Sequence, residues 1–100
     1  MEHIYHVTTA TEWKDAVDKG YYEAASLAIE GFIHCSTEIQ VQGVLKRYFT
    51  GQQNLVKLTI DPSKLTAELK YELAPSVNEE FPHVYGTINL EAVVKVEEIN

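Results

Sequence analysis

Apolar and polar residues alternate over residues 2–8, which predicts a strand with Ile4, His6 and Thr8 on one face and Tyr5 and Val7 on the other. Thr9 with Glu12, or Thr11 in its place, then offers an N-cap for a short amphipathic helix. Trp13, Ala16 and Val17 share one face of that helix, and Gly20 ends it. Residues 21–30 show no clear period and read as a loop with one turn. A second strand is predicted over 32–35, with Ile33 and Cys35 on a core face and Phe32, His34 and Ser36 on the other. Ser36 or Thr37 can cap a second helix, whose apolar stripe is Val41, Val44, Leu45, Tyr48 and Phe49, and Gly51 closes it.

The remainder reads as strands. Residues 55–60 form a buried one, Asp61-Pro62-Ser63 a turn, and residues 67–73 a strand with Leu69, Tyr71 and Leu73 together on one side. Residues 74–82 are polar and bracketed by prolines, which predicts a surface loop. Brief strands follow over 84–87 and 93–99. The order strand–helix, strand–helix, then strands, with no internal repeat, predicts a single α+β domain over residues 1–100 with two main helices.

Composition narrows the class. Of the 100 residues, 45% are hydrophobic and 23% charged, a soluble globular balance. No apolar run is long enough to span a bilayer, and the opening residues carry no basic stretch of a secretion signal, so no membrane partner is expected and the cytoplasm is the expected location. One cysteine permits no internal disulfide, and its strand position makes Cys35 a buried apolar residue rather than a nucleophile. A net charge of −7 argues against long nucleic acid and points to a small molecule, with a monomer as the expected state.

The candidate chemistry lies in a recurrence. All four histidines have a hydroxyl two places on: His3 with Tyr5, His6 with Thr8, His34 with Ser36, and His83 with Tyr85. With Ser, Thr and Tyr filling 18 of the 100 positions, chance alone gives this roughly once in a thousand sequences. An imidazole and a hydroxyl on one strand face can hold the same ligand and exchange a proton near neutral pH. Strand alternation points His3 and His6 opposite ways, and no ligand spacing marks a metal site. Glu72, near the end of its strand and facing away from Leu69, Tyr71 and Leu73, is the first acidic candidate.

Taken together, His6-Val7-Thr8, Gly31-Phe32-Ile33-His34-Cys35-Ser36 and Phe81-Pro82-His83-Val84-Tyr85-Gly86 resemble the small bacterial family known as domain of unknown function 952. The likeness also takes in Trp13, Ser26-Leu27 and Lys70-Tyr71-Glu72. That family is similar in pattern to the ADP-ribosyltransferase superfamily, most closely to its RNA 2′-phosphotransferase branch. The resemblance implies an ADP-ribosyltransferase-like, mixed or antiparallel sheet core and a cleft for NAD or a related nucleotide. It further implies that His6 and Thr8 match a first-strand motif that binds nicotinamide and ribose, and His34 and Ser36 a second-strand motif. His83 and Tyr85 would border the same cleft, with His6, His34 and Glu72 as the catalytic candidates. The chain departs from the phosphotransferase pattern in its arginines, having only Arg47. Two other readings stay open: a phosphoesterase using His6 and His34 as acid and base on a cyclic nucleotide, and a non-catalytic binding module.

Overall fold

The computed structural model describes residues 2–99. Strand β1 (Ile4–Thr9) runs into helix α1 (Ala10–Lys19), whose first turn is closed by the Thr9 hydroxyl accepting the Glu12 N–H at 3.0 Å. Gly20 ends α1 in the left-handed region at φ 98°, a conformation that glycine adopts without the strain of a Cβ. Trp13 and Ala16 pack on the core as expected, whereas Val17 is half exposed, so the buried stripe of α1 is narrower than its sequence pattern.

Residues 21–30 are not a loop. Tyr21–Tyr22 form a short strand β2, and Ala25–Glu30 a one-and-a-half-turn helix α2 closed by Gly31. Both are too short to show a period, which is why alternation misses them. Among the described residues there are therefore three α-helices rather than two.

Strand β3 is only Ile33–His34, and α3 spans Val41–Tyr48. Neither Ser36 nor Thr37 caps α3. Ser36 exchanges backbone hydrogen bonds with Tyr5 at 2.7 and 2.8 Å, which holds it extended, and the helix begins only after a turn in which the Gln40 side chain accepts the Thr37 N–H. Gly51 lies beyond the end of α3, which Phe49 closes.

Strand β4 (Leu55–Ile60) falls where the pattern placed it, followed by a 3-10 turn over Pro62–Lys64 that Asp61 caps through Ser63. Strands β5 (Glu68–Ala74) and β6 (Glu79–Tyr85) form a hairpin, so the expected loop over 74–82 is a four-residue turn plus half a strand. Exposed Glu79 and Glu80 and the proline hid this strand from an apolar count. Short β7 (Ile88–Asn89) pairs with β2, and β8 (Val93–Glu98) is close to its expected range.

Three antiparallel sheets result, ordered β1-β4-β8, β2-β7 and β3-β6-β5. The fold is α+β. The main core, which includes Ile4, Tyr22, Ile33, Leu58, Val84 and Ile88, lies among the sheets beneath α1, and α3 covers a second cluster of Val7, Val41 and Leu55.

Pro82 decides where β3 stops. The Cys35 N–H donates to the Pro82 carbonyl at 2.9 Å, but proline has no N–H to return, so the ladder ends after Ile33–Val84 and His34–His83. The freed chain crosses to β1 at the single Tyr5–Ser36 bridge, and the two three-stranded sheets diverge from there.

Gly86 follows β6 where a Cβ would sit 2.8 Å from the Ala67 Cβ. Gly86→Ala is expected to destabilise the fold by about 1–3 kcal/mol in urea titration, with Ala67→Gly in the same chain restoring part of the loss.

Candidate functional site

The divergence of the sheets opens a cavity of about 570 Å³, lined by His6, Phe32, His34, Ser36, Phe49 and His83 among others. That volume suits a small molecule, and its walls are mainly apolar. Three imidazoles distant in sequence thus share one hollow.

Register brings two of them together. His34 and His83 are directly opposed on β3 and β6, with ring centroids 5.3 Å apart at an edge-to-face angle of 74°. Phe32 stacks on His83 at 4.0 Å and 19° and touches His34 at 4.8 Å. The face of Phe32, His34 and Ser36 read from alternation is therefore on the cavity, while Ile33 is buried away from it and Cys35, also buried, still touches the wall. Burial pushes the Cys35 thiol up to about 12, which leaves it without the thiolate a nucleophile needs.

His83 is 7% exposed, and its Nδ1 lies 2.7 Å from Glu72 Oε1. The carboxylate can only accept, so Nδ1 carries a proton and Nε2 is the nitrogen left for other partners. Nε2 has no protein partner, yet no buried side-chain nitrogen or oxygen among the described residues lacks one, so Nε2 is accessible. The same holds for Ser36 Oγ, which has no side-chain hydrogen bond and lines the cavity. Both are polar atoms the site offers a guest.

Glu72 sits behind His83, outside the lining. It accepts from the Tyr85 hydroxyl at 2.5 Å and from His83, and these two donors hold its carboxyl below the ordinary range. Losing that bond on ionisation raises the Tyr85 phenol in turn. Glu72 thus orients the His83 ring, and Tyr85 is turned to Glu72 and is not part of the cavity wall. His34 stands at the mouth, half exposed, with Nε2 2.7 Å from Glu30 Oε2.

His6 is committed elsewhere. Its Nδ1 lies 2.5 Å from the His34 carbonyl, an acceptor only, so Nδ1 donates, and Nε2 lies 2.7 Å from the Tyr22 hydroxyl, which must then donate to it. Burial lowers the His6 pKa to about 4, outweighing the opposing effect of the His34 carbonyl. Both nitrogens of the neutral ring are taken, so His6 meets the cavity with ring carbon and is not placed for acid–base catalysis. Thr8 is also removed from the cleft: it is buried and donates to Glu12 at 2.6 Å. His3, the fourth histidine of the recurring pattern, is exposed and lies outside this cavity. Among the described residues no three His, Cys, Asp or Glu side chains are grouped to hold a metal ion.

Sequence reasoning missed Tyr22, Glu12 and Glu30. Tyr22 lies in a two-residue strand with no period, and the contact of Glu30 with His34 spans Gly31, which breaks any helical spacing between them.

The family model described as protein of unknown function, DUF952, matches residues 7–96. The chain belongs to that family. It is similar to protein CC0527 from Caulobacter crescentus: to its crystal structure at 31% identity and TM-score 0.89, covering 98% of this chain and 86% of that one. The solution NMR structure of CC0527 matches at 32% identity and TM-score 0.85, covering 100% of this chain and 86% of the other. No curated protein matches. Among the described residues no helix is long and apolar enough to cross a membrane.

The state of His6 has a measurable consequence. A pKa of about 4 in the fold against 6.5 when unfolded means that the unfolded chain binds the proton first, so stability falls as pH drops from about 6.5 towards 4. The His6 share of that loss is as much as about 3 kcal/mol. Urea unfolding of the wild type should weaken across this window, and His6→Gln, less stable at pH 7, should show a flatter profile. An NMR titration placing the His6 ring near its ordinary pKa would contradict the assignment.

Proposed function

We propose that this member of the family binds NAD or a related nucleotide in the cleft between the two three-stranded sheets, ring end first. The observation that carries the reading is His83: an almost buried imidazole, fixed by Glu72, stacked by Phe32, and offering an accessible Nε2 into a cavity of small-molecule size. A nucleoside presents what this site can use, a flat ring for the walls of Phe32, Phe49 and Phe81 and ribose hydroxyls for His83 Nε2 and Ser36 Oγ. The ADP-ribosyltransferase-like core and the transferase class rest on the sequence resemblance alone. The roles are therefore stated for binding: His83 and Ser36 hold the ligand, Glu72 and Tyr85 set the His83 ring, His34 with Glu30 borders the mouth, and His6 shapes the floor.

The phosphoesterase reading needs two imidazoles free to exchange protons, and His6 has neither nitrogen to spare.

Addition of NAD and of ADP-ribose at millimolar concentration should shift the imidazole NMR signals of His83 and His34 and leave those of His3 in place. His83→Ala should weaken binding about tenfold or more, the loss of one well-placed hydrogen bond and a ring contact, with circular dichroism reporting that the variant folds. No response of His83 or His34 to either ligand would overturn the reading.

A further inference from the structure

The charges around the cleft are one-sided. Among the described lining residues Glu30 is the one carboxylate and no lysine or arginine is present, while a second carboxylate, Glu72, stands directly behind His83. Outside the lining, Lys70 lies over the Tyr85 ring at 4.9 Å and within 4.0 Å of Glu68, and Arg47 lies over the ring of the lining residue Tyr48 at 5.7 Å. The chain as a whole carries −7. A phosphate inside this cavity would meet carboxylates and no counter-ion, whereas a cationic ring would meet the aromatic faces of Phe32, Phe49 and Phe81 and the field of Glu30.

We infer that the cleft selects by charge, taking a cationic heteroaromatic ring, such as an N-alkylated pyridinium, in preference to a neutral one and rejecting anionic rings and phosphate. This deepens the nucleotide reading and rests on it: the pyridinium end of the oxidised dinucleotide enters, and its diphosphate stays in solvent.

Three rings of nearly equal size separate the terms: N1-methylnicotinamide, a cation, nicotinamide, neutral, and nicotinate, an anion. Affinities measured at pH 8 by NMR at His83 should rank cation over neutral by about fivefold or more, with the anion giving no response. Glu30→Gln should reduce the cation-to-neutral ratio, with circular dichroism reporting an intact fold. Nicotinate binding as well as the cation, or Glu30→Gln leaving the ratio unchanged, would overturn charge selection even if NAD binds. If the rings rank as expected while NAD and ADP-ribose do not bind, charge selection stands and the dinucleotide reading falls. Silence from all three rings overturns the inference.

Discussion

A side chain holds this fold together where a backbone ladder would otherwise run. Strand β1 and the segment just past β3 share one bridge, Tyr5 with Ser36, and the carbonyl of His34, at the end of β3, receives a hydrogen from the His6 ring. The ring is held from its other nitrogen by Tyr22, on the short β2. One imidazole thus joins three strands belonging to three different sheets. Without the ring that carbonyl would lose its protein partner, whereas continuing the ladder would pull the sheets together and close the cavity. The tie permits the sheets to part while keeping their polar groups satisfied.

The gap has a second cause in Pro82. Because a proline sits where β6 should return a hydrogen bond to Cys35, β3 is released after two residues and its chain is free to cross to β1. The proline is in the middle strand of its sheet, tolerated there because its missing N–H faces the end of β3. Sheet geometry and cavity therefore follow from two local features, a proline that stops one ladder and a histidine that substitutes for another.

This accounts for what the sequence could and could not reveal. Strand β4 was legible as a short apolar run, buried at every position but Lys57, and β1 by the period-two spacing of its sequence, although its burial in the fold does not alternate. The cavity face of Phe32, His34 and Ser36 was legible from the same spacing. Strand β6 was not, since its first residues are exposed glutamates and Pro82 reads as a breaker unless its partner strand is known to end there. Elements of two to six residues, β2 and α2, give no period at all. The role of His6 was the least accessible, because it depends on a tyrosine sixteen residues away and on a backbone carbonyl, neither of which leaves a mark in local spacing.

His6 and His83 have the same side chain, the same strand setting and the same hydroxyl two places on, yet they come to opposite states. His6 faces a phenol that donates and a carbonyl that accepts, and its neutral ring is used up by them. His83 faces one carboxylate that accepts from Nδ1, so the opposite nitrogen is left without a protein partner. The hydroxyls diverge in step: Thr8 turns to Glu12, and Tyr85 turns to the carboxylate that fixes His83. What separates a tying histidine from one able to receive a ligand is therefore how many of its two nitrogens the fold consumes. By that measure the β5–β6 hairpin holds the residue on which the proposed binding depends, and β1 holds the one that keeps the cleft open for it.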